Sequence, residues 1–159
     1  MGLILIVGFM GGTGGEFMSA RASGLRIVGP NCIGVLSPRA GLDASVLAKP
    51  ARAGNLAMVT QSGAIAAAMV EWADRNRVGF SGLVSLGDQL DVDFGDCLDH
   101  FALDPRTHAI LLYVEAVADA RKFLAAARAA ARVKPVIVVK AARRRSASRA
   151  LSHRRACRF

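Results

Sequence analysis

Short apolar runs of strand length recur along the chain, separated by segments in which polar residues are spaced differently. Each run is rich in Val, Ile and Leu, a composition typical of strands buried in a sheet. The six runs lie at residues 3–7, 25–28, 56–60, 83–86, 110–114 and 136–139. The sequence therefore predicts six short strands, of which the later ones form a buried sheet.

Helical spacing separates the last four of these runs. In residues 62–77, Ile65, Met69 and Trp72 recur at intervals of three and four, which places them on one helical face. Two further helices are predicted at residues 93–103 and 119–132, and both begin at an aspartate, a residue that caps helix amino termini well. Strands that alternate with such helices favour βαβ crossovers, so we predict an α/β fold with a doubly wound parallel sheet.

The chain divides into four parts by composition. Residues 55–140 carry the alternation of strands and helices and are predicted to form the main domain. Residues 38–54, PRAGLDASVLAKPARAG, are interpreted as an extended connector between this domain and an N-terminal piece, residues 1–37. Residues 141–159 form a basic tail unlike the rest of the chain.

Charge is concentrated at one end of the molecule. The 159-residue chain has 21 basic and 12 acidic residues and a formal net charge of +9. Eight of the basic residues and none of the acidic ones lie in residues 140–159, which leaves 13 against 12 in the remainder. Because the body is nearly neutral and only 6% of residues are aromatic, we do not predict a nucleic-acid interface.

Cysteine spacing and hydropathy exclude other classes. Cys32, Cys97 and Cys157 form no C-x-x-C pair, which argues against a disulfide framework and against a zinc site, so no metal site is predicted. The apolar run at residues 3–7 is too short to span a bilayer. We therefore expect a cytoplasmic protein that does not bind a membrane.

Several residues with reactive or hydrogen-bonding side chains lie directly after the predicted strands. In an open α/β sheet, ligands bind beyond the carboxyl ends of the strands. Gln61-Ser62-Gly63 follows the strand at 56–60, Glu115 follows the strand at 110–114, and Lys140 and, further on, His153 follow the last strand. Small donors, a carboxylate and an imidazole are thus expected to converge on one edge of the sheet.

The turn from Thr60 to Gly63 supplies two hydroxyls, a flexible glycine and the free amides of a helix start. Together these favour an anion such as phosphate, through hydrogen bonds and the helix dipole. The turn lacks the G-x-x-x-x-G-K-[ST] spacing of a nucleotide-binding loop. The alternative is that Ser62 only caps its own helix, and on the turn alone this is the simpler interpretation.

The other reactive residues also have structural interpretations. His153 is either a nucleophile that accepts a phosphoryl group, with Glu115 orienting its ring, or an exposed residue of a basic tail. Cys32 is interpreted as a small buried thiol rather than a nucleophile. His100 and His108 are interpreted as structural. The aspartates at 88, 91, 93, 96 and 99 are assigned to helix capping rather than to calcium.

Five stretches, taken in order, resemble the NDP-forming acyl-CoA synthetases, relatives of the succinyl-CoA synthetase α-subunit. They are GLRIVGPNCIGVLSP at 24–38, GNLAMVTQSGAIAAAM at 54–69, SLGDQLDVDFGDCLDHFALDP at 85–105, ILLYVEAV at 110–117 and KPVIVVKA at 134–141. The resemblance implies that residues 55–140 form a flavodoxin-like CoA-ligase domain. It also implies that residues 1–37 are the remnant of a CoA-binding Rossmann domain with its hinge strand.

The resemblance implies a chemistry as well. In that family an acyl-CoA, phosphate and ADP are interconverted with the acid, CoA and ATP through a phosphohistidine, which carries phosphate to a separate ATP-grasp domain. The matching positions make His153 the phosphorylated residue and Glu115 its carboxylate partner. They place phosphate at Thr60, Gln61, Ser62 and Gly63, and the CoA thiol near Pro30, Asn31 and Cys32. CoA and phosphate are the implied ligands of this chain, whereas ADP or ATP with Mg is expected only on an ATP-grasp domain or subunit as partner.

The tail departs from the family pattern. After His153 the sequence RRACRF stands where the family has Thr-Gly-Ala-Leu-Ala-Gly. One legal coding of RRACRF yields that family sequence when two bases, AC, are restored, so we hypothesise a frameshift directly after His153. The basic residues of the tail would then be an accident of reading frame.

Three functions follow from these observations. The first is a fragment of an NDP-forming acyl-CoA synthetase, expected to be inactive alone. The alternative is a regulatory acyl-CoA-sensing domain of a protein-lysine acetyltransferase. The third, a module whose basic tail contacts RNA or DNA, has the least support. Apolar surface left by the short N-terminal piece predicts self-association, and thus a homo-oligomer.

Overall fold

The computed structural model describes residues 5–7 and 22–141, and for residues 5–7 the backbone alone. The strands are β1 (Leu5–Val7), β2 (Arg26–Val28), β3 (Gly34–Ser37), β4 (Leu42–Ser45), β5 (Ala53–Thr60), β6 (Phe80–Ser85), β7 (Ala109–Val114) and β8 (Val136–Lys140). The helices are α1 (Gly63–Arg75), α2 (Phe94–Leu103) and α3 (Ala120–Ala131), with a short 3-10 turn at Pro38–Ala40. In this part of the chain no helix is both long enough and apolar enough to cross a membrane.

Six strands form the main sheet in the order β4-β3-β6-β5-β7-β8. Strands β5 to β8 run parallel, and Val59 in the middle of the sheet pairs with Val84 on one side and Leu112 on the other. Each of the three residues is buried, as expected of a central strand covered on both faces. The prediction of a doubly wound, flavodoxin-like α/β fold is confirmed by this arrangement.

Helices cover both faces of the sheet and divide the core in two. Helices α2 and α3 pack on one face, over a cluster that includes Leu98, Phe101 and Leu112. Helix α1 packs on the other face, over Met58 and Leu83. The alternation of side chains along β5 sends Met58 to one cluster and Val59 to the other, so this single strand joins the two halves of the core.

The two strands at one edge of the sheet correct the sequence analysis. Strand β3 pairs antiparallel with both β6 and β4, so the sheet is mixed rather than wholly parallel. Residues 38–54, predicted as an extended connector, instead contain the 3-10 turn, β4 and the start of β5. The reason is that β4 has a polar, largely exposed sequence, LDAS, without the apolar run by which six of the strands were recognised. Strand β3 was not predicted either, because its sequence, GVLS, has only two large apolar residues. The partition of the chain into domains remains a prediction.

Glycine permits the close pairing of this hairpin. Gly34 has φ of +115°, and a Cβ built there would lie 2.1 Å from the carbonyl oxygen of Ala44. Only glycine combines that dihedral with such an approach of the neighbouring strand.

The N-terminal strands form a separate two-stranded parallel sheet, β1 with β2. Strand β2 is fastened to the loop before α2, because the Asp91 carboxylate accepts a hydrogen bond from the backbone amide of Ile27 at 2.9 Å. The backbone amide of Val92 in turn donates to the Ile27 carbonyl at 3.1 Å.

Strand β8 forms one edge of the main sheet, and its residues Ile137, Val138 and Val139 are about half exposed. The expected homo-oligomer stays a prediction.

Candidate functional site

The turn after β5 is held together by the Thr60 hydroxyl. Its oxygen accepts a hydrogen bond from the Ser62 amide at 2.9 Å and donates one to the Ser62 carbonyl at 3.1 Å. Thr60 is completely buried. Because the hydroxyl is used within the turn and faces no solvent, Thr60 shapes the turn, and the predicted direct contact between Thr60 and phosphate is not supported by this geometry.

Ser62 is the N-cap of α1. Its Oγ accepts a hydrogen bond from the Ile65 amide at 3.4 Å, and its carbonyl accepts one from the Ala66 amide at 3.1 Å. The capping role considered as the simpler alternative is therefore confirmed. The backbone amides of Gly63 and Ala64 have no carbonyl acceptor within α1, as at any helix start, so they stay available to a ligand. Capping by Ser62 and an anion at these two amides are therefore compatible.

The start of α1 is positioned by contact with the loop that follows β2. A Cβ built on Gly63 would lie 2.5 Å from the Ile33 Cγ2 atom, so the absence of a side chain lets this loop approach the helix. Ile33 is itself held by a hydrogen bond of 3.1 Å from its amide to the Ser85 hydroxyl at the end of β6. The two amides at the start of α1 thus have a fixed direction.

Gln61 connects this turn to the loop after β7. Its Oε1 atom accepts hydrogen bonds from the backbone amides of Glu115 at 2.7 Å and Ala116 at 2.9 Å. The backbone amide of Gln61 donates to the Tyr113 carbonyl at 3.3 Å, which continues the pairing of β5 with β7. Glu115 and the phosphate-binding candidates are therefore brought together, as the sequence predicted.

Lys140, the last residue of β8, reaches the same loop. Its Nζ atom donates to the Glu115 carbonyl at 2.6 Å and to the Ala141 carbonyl at 3.2 Å. The Glu115 carboxylate makes no hydrogen bond or ion pair with any residue in the described ranges 22–141, while its peptide group is held on both sides. His153, the predicted nucleophile, lies outside the described residues.

The loop Gly29–Cys32 contacts the loop that follows β6. Asn31 is exposed and has φ of +56°, and its side-chain amide donates to the Asp88 carboxylate at 3.4 Å. The Asp88 amide donates to the Pro30 carbonyl at 3.0 Å. Of the three residues predicted near the CoA thiol, Pro30 and Asn31 face the loop after β6. The role of Pro30, Asn31 and Cys32 toward CoA stays a prediction.

Cys32 itself points inward. It is 3% exposed, its thiol donates to the Val28 carbonyl at 3.7 Å, and burial raises its pKa. A thiol with a raised pKa is protonated at neutral pH and is a poor nucleophile. The geometry agrees with the interpretation of Cys32 as a structural thiol.

Sequence reasoning missed the part played by Gln89 in the loop after β6. Gln89 has φ of +55°, and its Nε2 atom donates to the Ala116 carbonyl at 3.3 Å. Gln61 directly follows β5 and Gln89 lies shortly after β6. Gln61 accepts from the Ala116 amide, and Gln89 donates to the Ala116 carbonyl. The position of a glutamine just beyond a strand was the available signal, but nothing in the sequence indicates which loop it reaches.

Of the five clustered aspartates, Asp93 and Asp96 have the helix-capping role assigned from the sequence, whereas Asp88 and Asp91 bond to residues outside α2. Asp93 caps α2 and forms a capping box with Asp96. Desolvation opposes ionisation of Asp96, but its hydrogen bond with Lys122, the Asp93 amide and the charge of Arg26 together lower its pKa. Within the part of the chain that the structure describes, no group of His, Cys, Asp or Glu residues is arranged to hold a metal ion.

The two described histidines also have structural surroundings. His108 contacts the Asn55 side-chain amide through Nδ1 at 3.0 Å, and the His100 ring packs edge-on against Phe101.

A cavity of about 430 Å³ lies beside α2, and its lining includes Leu36, Gly82 and Phe101. It contains none of the residues predicted to bind phosphate or CoA.

Comparison with known proteins agrees with this fold. Residues 53–158 match the family model described as the succinyl-CoA ligase like flavodoxin domain. The chain is 41% identical over 133 residues to acetate–CoA ligase [ADP-forming] I of Archaeoglobus fulgidus, covering 84% of this chain and 19% of the relative. It is 36% identical over 157 residues to acetate–CoA ligase [ADP-forming] II subunit alpha of Pyrococcus furiosus, covering 94% of this chain and 34% of that subunit.

A solved structure is similar as well. The dinucleotide forming acetyl-coenzyme A synthetase 1 of Ca. Korarchaeum cryptofilum, in complex with phosphate and ADP, superimposes with a TM-score of 0.78 at 34% identity. The match covers 86% of this chain and 32% of that one. The chain thus spans between about a fifth and a third of the length of these relatives.

Proposed function

The chain belongs to the succinyl-CoA ligase like flavodoxin-domain family, and on this premise we propose that it is the phosphate-handling part of an ADP-forming acyl-CoA synthetase. The observation that carries the proposal is the contact of Gln61 with the loop of Glu115. This contact joins the backbone of Glu115 to the residue that directly precedes a helix start, whose amides favour an anion. Acyl-CoA and phosphate are the proposed ligands, and an ATP-grasp domain or subunit is the proposed partner.

Phosphate fits the start of α1 for three reasons. The amides of Gly63 and Ala64 are free to donate, and the positive end of the helix dipole favours negative charge there. The Ser62 hydroxyl accepts from Ile65, which leaves its hydrogen free to donate to an oxygen of phosphate. The carboxylate of Glu115, held nearby by its backbone, then supplies the negative charge that a protonated or phosphorylated imidazole requires.

The histidine of this scheme is His153. Phosphate attacks the acyl carbon of the acyl-CoA and displaces the CoA thiol, which gives an acyl phosphate. The imidazole then attacks the phosphorus of that acyl phosphate, the P–O bond to the acyl group breaks and the acid leaves as its carboxylate. The phosphoryl group thereby passes to nitrogen, while Glu115 holds the ring and offsets its positive charge. The phosphohistidine then transfers the group to ADP, which requires a partner domain with its own nucleotide site. By this proposal the chain alone binds phosphate but does not make ATP.

A substitution that adds charge without disturbing the fold tests the phosphate site. Ala64 is exposed in the first turn of α1, where an aspartate is favourable to the helix, so Ala64→Asp should fold normally. Titration of the isotopically labelled full-length chain with inorganic phosphate should shift the amide signals of Gly63 and Ala64 in the parent, and Ala64→Asp should weaken the affinity about tenfold or more.

The matched control is Ala68→Asp, which adds the same charge on the same helix at another exposed position. It lies about 6 Å further along α1, beyond the first turn, where the helix dipole no longer acts. It should retain most of the phosphate affinity. An Ala64→Asp chain that binds phosphate as well as the parent, or a parent without shifts at Gly63, would overturn the proposal.

The acetyltransferase alternative has no support from the relatives described above, both of which are ligases or ligase subunits. No contact in the described part of the chain favours it over the ligase assignment.

A further inference from the structure

The orientation of the Gln61 carboxamide is fixed by its neighbours. Both groups that face it, the amides of Glu115 and Ala116, are donors. The reverse orientation would place the NH2 group against two N–H groups, so only the oxygen can face them. One acceptor atom therefore receives two backbone hydrogen bonds from consecutive residues.

The other end of the same carboxamide is free. Nε2 of Gln61 makes no hydrogen bond with any residue in ranges 22–141, and the side chain is half-buried rather than extended into solvent. Gln61 directly precedes Ser62, the N-cap of α1. Its two N–H groups thus belong to the residue next to the helix start and have no partner among the described residues, so they are available to a ligand bound there.

Glu115 shows the complementary pattern. Its amide is held by Gln61 and its carbonyl by Lys140, while its carboxylate has no partner among the residues the structure describes. The next peptide is also held on both sides, since the Ala116 amide bonds to Gln61 and its carbonyl to Gln89. A rigid backbone that carries an unpaired, half-buried carboxylate is suited to present that group to a ligand rather than to stabilise the fold.

We propose that Gln61 is a two-sided positioning residue: Oε1 holds the backbone of Glu115 in place, and Nε2 donates a hydrogen bond to the phosphate oxygen bound at the start of α1. The second half rests on the proposed phosphate site, whereas the first half stands on the contacts alone. Gln61 thereby sets the distance between the backbone of Glu115 and the bound anion, because one planar carboxamide bonds to both.

Two substitutions separate the two sides. Gln61→Glu keeps an acceptor for the amides of Glu115 and Ala116, but replaces the Nε2 donor with a negatively charged oxygen that repels phosphate. Gln61→Met keeps the length of the side chain and removes both the acceptor and the donor. Amide hydrogen exchange at Glu115 and Ala116 reports the first side, and titration with inorganic phosphate reports the second.

We expect Gln61→Met to speed exchange at Glu115 and Ala116 about tenfold and to weaken phosphate binding. Gln61→Glu should retain the protection of both amides while it weakens phosphate binding by about tenfold or more. This rescue of the loop by the conservative variant is not expected if Gln61 only fills space, because glutamate and methionine would then behave alike.

The outcomes are decisive for each half separately. If Gln61→Glu loses the protection at Glu115 as Gln61→Met does, or if Gln61→Met retains it, the role of Oε1 in holding the Glu115 backbone (the bracing role) is overturned. If Gln61→Glu binds phosphate as tightly as the parent, the donor role is overturned. A parent that binds no phosphate would overturn the proposed function and the donor role together, while the exchange data would still decide the bracing role.

A second variant guards against misfolding. If Gln61→Met fails to fold, which the loss of protected signals in the buried strands would reveal, Lys140→Met tests the same loop from the other side. It removes the bonds to the Glu115 and Ala141 carbonyls and acts from an exposed position at the end of β8. Both amides remain bonded to Gln61 in this variant, so exchange at Glu115 and Ala116 should stay slow. Fast exchange at both amides in Lys140→Met would show that Lys140, and not Gln61, holds the loop, and would overturn that half of the proposal.

Discussion

Lys122 of α3 lies 2.9 Å from the Asp96 carboxylate of α2, joining the two helices that cover one face of the sheet. The same ammonium group lies 2.9 Å from Asp93, the N-cap of α2. Arg26 of β2 approaches Asp96 from the other side at 3.2 Å. One half-buried carboxylate therefore links the N-terminal strand pair, α2 and α3, and the start of α2 depends on its charge.

Replacement of Asp96 should make the fold less stable at neutral pH and less sensitive to acid. The pKa of Asp96 is lowered in the folded chain, so its stabilisation is complete above the ordinary aspartate pKa of 3.8 and is lost as pH falls through the folded value. Asp96→Asn should cost about 1 kcal/mol at pH 7, and the difference from the parent should shrink below pH 4. Urea unfolding at both pH values measures this.

Asp99→Asn provides the control for this measurement. Asp99 is exposed on the same helix and makes no hydrogen bond or ion pair with other residues of ranges 22–141. It should change stability little at either pH. A loss equal to that of Asp96→Asn, or an Asp96→Asn effect that persists undiminished in acid, would show that the network around Lys122 does not stabilise α2.

The close contact between the loops after β2 and β6 depends on Gly87. It has φ of +54°, and a Cβ there would lie 2.0 Å from the Pro30 carbonyl oxygen. Gly87→Ala should destabilise the fold by about 3 kcal/mol, because strain and a backbone clash add. The matched variant is Gly41→Ala, with φ of +67° but no atom within 4 Å, which should cost only about 1 kcal/mol. Equal losses of unfolding free energy would contradict a role for the contact itself.

The sequence predicted the central part of the fold because its signals are local. Apolar runs identified β5 to β8, and polar residues at helix starts identified the caps Ser62, Asp93 and Asp119, each of which accepts a hydrogen bond from its own first turn. Strand β4 carries no such signal, since it is exposed and polar and is held by its pairing with β3. Its place in the sheet follows from tertiary pairing, which propensity does not reveal.

The site was predicted only to the level of which residues share an edge. The carboxyl ends of parallel strands lie at one edge of the sheet, so the approach of Gln61 to Glu115 follows from the topology. The direction of the Gln61 oxygen does not, because it bonds to residues 54 and 55 positions away in the sequence. Thr60 was predicted as a ligand from its place in the turn, but residue type alone does not reveal that its hydroxyl bonds to the amide and carbonyl of Ser62.

The structural role of Thr60 is testable with two variants of different chemistry. Thr60→Val has a similar shape without the hydroxyl and leaves the Ser62 amide without an acceptor, so it should lower the free energy of unfolding by about 2 kcal/mol. Thr60→Ser keeps both hydrogen bonds and should lose less than half as much. Thr60→Ser should also bind inorganic phosphate as the parent does. Equal losses of unfolding free energy in Thr60→Val and Thr60→Ser would contradict a structural role for the hydroxyl.

The sequence after His153 predicts what the genomic DNA should contain. Restoring two bases to one legal coding of RRACRF produces the family sequence Thr-Gly-Ala-Leu-Ala-Gly. The proposed chemistry requires His153 to sit in a loop that brings it to the start of α1, and small residues with glycine suit such a loop better than consecutive arginines do. Sequencing the locus through the codons beyond His153 should therefore find an alternative frame that encodes this motif. An absence of the motif from every frame would contradict the frameshift, and would make the basic tail a native feature whose effect on phosphate transfer to His153 must then be explained.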